Sequence, residues 1–105
     1  MTEGTSKSVV WSPEAEQDLF EIWEYVWVAV SAAAADKQLR EIDRVCFVLG
    51  RWPEFGKART DIRDGLRSVH VGRFIVFYRI TESAVEIVRV LDERRDVDGT
   101  FENLT

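Results

Sequence analysis

The stretch LRSVHVGRFIVFYRI, Leu66 to Ile80, constrains the fold of this chain more than any other. Gly72-Arg73 interrupts two runs rich in Val, Ile, Phe and Tyr, the pattern of a two-residue hairpin turn. The second run, Phe74–Ile80, is apolar at nearly every position and predicts a central strand buried on both faces. A third run, Ala84–Leu91, follows after Thr81-Glu82-Ser83 and extends the antiparallel meander. Arg67, Arg73 and Arg79 punctuate the stretch, with Arg73 capping the turn and the other two on separate strands.

Upstream the periodicity changes. Ser12-Pro13 offers a hydroxyl to cap free amides and a proline suited to the first helical position. Glu14, Glu16 and Asp18 follow, where the helix dipole favours negative charge. Ala15, Leu19, Ile22, Val26 and Val30 step by threes and fours, one face of a helix. Phe20, Trp23 and Trp27 widen that stripe sideways, either as a broad core face or as an exposed aromatic flank that receives a partner. A turn near Val30 to Ala33, with Ser31 as a second cap, leads into a helix through Leu39, Ile42, Cys46 and Leu49 that stops at Gly50 or before Pro53. Two amphipathic helices so closely joined should pack as an antiparallel hairpin. Trp52–Gly65 reads as a surface loop, Val9–Trp11 as a short strand, and the charged tail beyond Asp92 as frayed.

The expected architecture is therefore α+β: one domain over residues 1–105, ordered β-α-α-β-β-β, with the helical hairpin on one face of a small antiparallel sheet. Frayed ends are expected at about residues 1–7 and 98–105. At 105 residues, 46% of them hydrophobic, the chain can bury a single core. One cysteine excludes an internal disulfide, and Cys46 lies in the apolar run VCFVLG as a buried thiol. One histidine leaves a metal site or a Ser/His/Asp triad to rest on His70 alone, so no metal or cofactor is expected. No apolar run approaches the ~18 residues of a membrane span. The start MTEGTSKS is not a signal peptide, and a cytoplasmic location is expected.

The net charge of −5 is unevenly spread. Ser12–Arg51 holds four basic residues against eight acidic ones, and Lys57–Leu91 holds seven against four. Such a chain repels nucleic acid at long range, yet its basic half suits an acidic peptide.

Four blocks in this order carry a resemblance: S-P-x-A-x-x-D-L at Ser12–Leu19, P-E-F-G at Pro53–Gly56, G-L-R-x-x-x-V-G-R-F-x-V-F-Y-R at Gly65–Arg79 and I-x-R-V-L at Ile87–Leu91. The blocks run from Ser12 to Leu91, and over Val9 to Val97 the chain resembles the ParE toxins of the RelE/ParE superfamily. That resemblance implies the toxin half of a bacterial type II toxin–antitoxin pair. Its antitoxin would be ParD-like, with a flexible C-terminal segment that wraps the toxin and a DNA-binding end that represses the operon. Operator DNA would be reached only through that antitoxin. ParE members are associated with inhibiting DNA gyrase by binding, whereas RelE members cut messenger RNA in the ribosomal A site. A non-toxic orphan that only binds antitoxin is the third alternative.

RelE-type cleavage uses clustered lysines and arginines with a tyrosine near the C-terminus. Here the tail reads DERRDVDGTFENLT, which leaves Tyr78, Arg79 and His70 as the substitutes. Tyr78 and Arg79 are strand neighbours and point to opposite faces, so a proton-shuttling pocket is not expected and the chain is read as a non-enzymatic binder. Strand parity groups Arg67 with Val69 and Val71, Arg79 with Ile75 and Phe77, and Arg89 with Val85, Ile87 and Leu91. Arginine beside large apolar groups suits a groove for an amphipathic acidic peptide. The antitoxin-binding set is thus Arg67, Arg73, Phe77, Arg79, Ile87, Arg89, Trp23 and Trp27, with solvated or internally paired arginines as the plain alternative. Arg94, Arg95 and Asp96 match the basic patch after the last strand of many ParE-like chains and are the gyrase-inhibition candidates. Asp92 and Glu93 stand where that pattern often reads histidine-glycine, a change of about two charges in the local field.

Overall fold

The structure, a computed structural model, describes residues 6–102. Strand β1 (Ser8–Trp11) leads into helix α1 (Pro13–Ala29) and helix α2 (Ala32–Arg51). Strands β2 (Lys57–Ala58), β3 (Leu66–Val71), β4 (Phe74–Ile80) and β5 (Ala84–Asp92) follow, and a short helix α3 (Val97–Glu102) completes the order. One sheet runs β1-β5-β4-β3-β2, with β1 parallel to β5 and the other pairs antiparallel.

Local chemistry sets these boundaries. Ser12 accepts from the Ala15 amide at 2.9 Å and caps α1, with Pro13 at its first position. Ser31 does the same for α2 through the Ala34 amide at 3.0 Å. Gly72 has φ 60° at the first central position of the β3–β4 turn, a value a side chain would strain and a type II′ hairpin requires.

Strand β4 is the middle strand, and Phe74 to Tyr78 are buried without interruption. On one face the helical hairpin covers Phe74, Val76 and Tyr78 with Ala15, Ile22, Ile42 and Leu49. The opposite face holds Leu66, Ile75, Phe77 and Leu91 under Phe101 of α3. Phe101 meets Phe77 edge-on at 4.9 Å between ring centroids.

That second cover corrects the expectation of a frayed tail. The tail does not fray from residue 98: α3 runs to Glu102, with Asp96 accepting from the Gly99 amide at its start. Arg63 donates to the Phe101 carbonyl at 2.8 Å and holds its end. Near the other end, the Lys7 amide donates to the Gly50 carbonyl at 2.8 Å. Residues 1–5 and 103–105 lie outside the described residues. Strand β2, inside the expected loop, is two residues long and carries no periodicity to read. No described helix is long and apolar enough to cross a membrane.

Strand parity fails at one point. Phe77 pairs with Arg89 while Tyr78 pairs with Ile87, so Val88 bulges out of β5. The expected common face of Val85, Ile87, Arg89 and Leu91 is thereby broken: Val85 and Ile87 join the helix-side core and Leu91 the opposite one. Helix α1 is fastened to this bulge. The Ser12 hydroxyl donates to the Val88 carbonyl at 2.9 Å and the Ser12 amide to the Ile87 carbonyl at 3.0 Å. One turn on, Asp18 accepts from Arg89 Nε at 2.7 Å, Arg89 Nη2 at 2.8 Å and the Val90 amide at 2.9 Å. Asp18 is 4% exposed, so removing its partner leaves a buried charge uncompensated. Arg89→Ala is expected to lower unfolding free energy in urea by about 3–5 kcal/mol. A loss under about 1 kcal/mol, the size of a surface ion pair, would show that the clamp is dispensable.

Candidate functional site

Three chain segments meet at the end of the sheet where β3 turns into β4. Arg73 comes from that turn, Asp92 to Arg95 from the end of β5 and the turn after it, and Tyr25 from the last turns of α1. The Glu93 amide donates to the Arg73 carbonyl at 2.8 Å and ties the two turns together. Asp92 is the hub of the cluster. Its carboxylate accepts from Arg94 Nε and Nη2, both at 3.0 Å, and from the Arg94 amide at 2.9 Å. It also pairs with Arg73 Nε at 3.2 Å. The Arg94 guanidinium beside it, chiefly by hydrogen bonding, holds the Asp92 carboxyl down at about 2. The Arg73 guanidinium lies 5.3 Å from both the Tyr25 and Phe74 ring centroids. Arg73, and after it Arg94, lower the pKa of the Tyr25 phenol by hydrogen bonding and by charge. These groups line a shallow cavity of about 230 Å³ with Arg95, Asp18 and Glu21 at its sides. Of the three gyrase-inhibition candidates, Arg94 and Arg95 stand exposed at this cavity, whereas Asp96 caps α3.

The eight residues expected to bind antitoxin do not form one groove. Phe77 and Ile87 are fully buried, on opposite faces of the sheet, and cannot meet a partner in the folded protein. Arg89 is consumed by the clamp on Asp18. Arg67 donates to the carbonyls of Glu54 and Gly56, at 3.1 and 2.6 Å, and pins the P-E-F-G loop. Arg73 belongs to the cluster above. Arg79 is exposed and pairs with Glu86 at 2.6 Å. Trp23 and Trp27 lie on the outer side of α1, Trp23 partly and Trp27 half exposed. Phe20, Trp23 and Trp27 stack in sequence along α1, with centroids 6.5 and 5.7 Å apart. Trp27 is 49% exposed and Phe20 54%, so the stripe lies outside the core. Trp23 Nε1 donates to Asp36 of α2 at 3.1 Å, which orients the stack across the hairpin.

Tyr78 has a different task from the one a nuclease would need. Its hydroxyl donates to the Pro53 carbonyl at 2.7 Å and accepts from the Gly56 amide at 2.9 Å. Gly56 fits there because a Cβ would fall 2.6 Å from the Ser68 carbonyl oxygen and 2.7 Å from the Tyr78 hydroxyl. His70 lies beyond this latch near Glu93, at 3.6 Å. Among the described residues no group of three or more His, Cys, Asp and Glu side chains gathers to hold a metal ion.

Sequence reasoning missed Tyr25 and the organising role of Asp92. Tyr25 sits one residue from the apolar stripe and gives no separate signal. Asp92 read as an unfavourable charge because its two guanidinium partners come from a turn and from its own C-terminal side.

A helical hairpin packed on a sheet whose first strand runs parallel to the last is the architecture of RelE/ParE-type toxins. The structure matches a chain of the chromosomal ParDE toxin–antitoxin system of P. aeruginosa with a TM-score of 0.74 at 21% identity, covering 84% of this chain and 97% of that one. It also matches a chain of the RelBE2 toxin–antitoxin complex of Mycobacterium tuberculosis, with a TM-score of 0.57 at 24% identity, covering 83% and 98%. The model of the ParE toxin of the parDE type II toxin–antitoxin system matches residues 9–97. Toxin ParE1 of M. tuberculosis is 36% identical over 88 residues, covering 83% of this chain and 90% of that toxin. Toxin ParE3 of Caulobacter vibrioides is 34% identical over 80 residues, covering 76% and 80%. The chain belongs to the ParE toxin family of type II toxin–antitoxin systems.

The Asp92 hub carries a pH signature. Its folded pKa of about 2 lies below the ordinary 3.8, so its contribution is present above pH 3.8 and is lost as pH falls towards 2. Asp92→Asn should therefore be less stable than the parent near neutral pH, and thermal unfolding midpoints should converge between pH 3.8 and about 2. Parallel pH curves for the two proteins would remove Asp92 from the stabilising network.

Proposed function

We propose that this ParE-family toxin inhibits DNA gyrase by binding, without cutting RNA, and is neutralised in the cytoplasm by a ParD-like antitoxin. The observation that carries this reading is the arginine-lined cavity, where Arg94 and Arg95 stand outward on a packed sheet end beside Arg73. Inhibition by binding asks only for a shaped and charged surface, and preorganised guanidinium groups supply one. Proton transfer from Tyr78 finds no support in its setting, since the hydroxyl is buried and hydrogen-bonded in both directions.

The stacked Phe20–Trp23–Trp27 stripe supports an antitoxin contact on the outer side of the helical hairpin. Half-exposed aromatic rings in register are what the apolar face of an amphipathic segment needs. Arg79 lies beyond the opposite face of the sheet from the hairpin and would meet an acidic part of a segment that wraps around. Operator DNA is reached only through the antitoxin, because the toxin itself is net negative.

Purified toxin should inhibit gyrase supercoiling, and Arg94→Ala with Arg95→Ala should weaken that inhibition by about tenfold or more. Messenger RNA on ribosomes should stay intact at the same toxin concentration. Ribosome-dependent cleavage with gyrase unaffected would reverse the assignment. For the antitoxin, Trp27→Ala should cost more than about 1 kcal/mol of binding by calorimetry. Its effect on folding stability should be small, because the ring is half exposed. Arg79→Glu should have a lesser, salt-sensitive effect. Unchanged affinity in Trp27→Ala would move the contact off the stripe.

A further inference from the structure

We propose that Tyr25, Arg73 and Asp92 form, with Arg94 and Arg95, one recognition surface for an acidic side chain of the gyrase protein, and that Asp92 is its positioning residue. This rests on the gyrase reading above. The argument begins with the burden of using arginine for recognition. A guanidinium on a long flexible stem must be immobilised when it binds, and that entropy opposes association unless the side chain is already held. Here both turn arginines are held. One face of Arg94 is turned into the Asp92 carboxylate through Nε and Nη2. Arg73 is flanked by the rings of Tyr25 and Phe74, and its Nε lies 3.2 Å from Oδ2 of the same carboxylate. The backbone is fixed as well, because the Glu93 and Arg95 amides donate to the carbonyls of Arg73 and Asp92 at 2.8 and 2.9 Å.

Holding does not mean hiding. The Arg94 side chain is 68% exposed and that of Arg73 40%, so both remain available from solvent, and the Tyr25 ring faces outward beside them. The acids around the cavity decide the chemistry of the ligand. Asp18, Glu21 and Asp92 border the same space, and the whole chain carries −5. That field opposes a polyanion such as the DNA backbone. A single carboxylate meets far less of that opposition than a polyanion does, and it gains charge-assisted hydrogen bonds from guanidinium groups against an aromatic wall.

Asp92 gives this proposal a sign that charge alone does not. If Asp92 were only a negative charge beside Arg94, removing it would raise the local positive field and strengthen inhibition. If it positions Arg73 and Arg94, removing it releases both and weakens inhibition although the surface becomes more positive.

The experiment titrates the parent toxin, Asp92→Asn, Tyr25→Phe and Glu24→Gln into a gyrase supercoiling assay, with a thermal melt of each. Nitrogen-15 spectra of the arginine Nε–H groups are recorded in parallel. The parent should inhibit, Asp92→Asn should need about tenfold more protein, and Tyr25→Phe should need several-fold more. Glu24→Gln, which removes an exposed charge next to Tyr25 on α1 without touching the arginines of the cluster, should match the parent. The Arg94 Nε–H resonance should exchange slowly with water in the parent and rapidly in Asp92→Asn. A folded Asp92→Asn that inhibits as well as the parent or better overturns the proposal and leaves the gyrase reading standing. Should Asp92→Asn fail to fold, Tyr25→Phe decides in its place, and unchanged inhibition overturns the proposal. A parent toxin that leaves gyrase unaffected brings down the reading and the proposal together. Binding of toxin to DNA alone that is lost in Arg73→Ala overturns the choice of a protein carboxylate.

Discussion

The grip of Asp18 on Arg89 and the Val90 amide is the contact on which the rest of this molecule depends. It joins the first helix to the β5 bulge, residues more than seventy positions apart. The bulge at Val88 breaks the ladder, and Asp18 takes up one of the backbone amides beside that break. Ser12 fastens the start of the same helix to the Val88 carbonyl, so both ends of the S-P-x-A-x-x-D-L block are spent on one irregularity in one strand. With α1 held there, β1 is delivered alongside β5 in parallel, and Tyr25 is carried to the end of the sheet where the arginines lie.

The arginines from Arg67 to Arg95 divide according to what their neighbours leave unsatisfied. Arg89 and Arg67 serve the interior, one answering a buried carboxylate and the other the carbonyls of the P-E-F-G loop. Arg73, Arg79, Arg94 and Arg95 remain at the surface, and three of them gather at one sheet end. The arginine end and the aromatic stripe of α1 are separate surfaces and differ in chemistry, one charged and one apolar. Helix α3 contributes indirectly: Phe101 over Phe77 seals the second face of the sheet, and Asp96 caps the helix directly after the turn that displays Arg94 and Arg95.

Much of this was readable in the residues. The caps at Ser12 and Ser31, the turn glycine Gly72 and the unbroken apolar run of β4 each act through neighbours in the chain, and each stands where local chemistry puts it. Strand β2 and helix α3 were not readable, because two residues have no period and VDGTFE has no strong propensity. Both elements exist because a finished sheet offers them an edge and a face. The site was less legible than the fold. Parity correctly put Phe77 and Arg79 together, but it also grouped Ile87 with Arg89 and Leu91, which a single bulged residue separates.

The sequence by itself determined the class of fold, through periodicity and caps, and the ParE family, through its resemblance in motifs ordered along the chain. Tertiary structure alone decided which arginines are structural and which stay at the surface. A guanidinium's role is set by the nearest carboxylate or carbonyl in space, and for Arg89 and Arg73 those partners arrive from distant segments. The same physics turned Asp92 from an apparent repulsive charge into the group that holds two arginines in place.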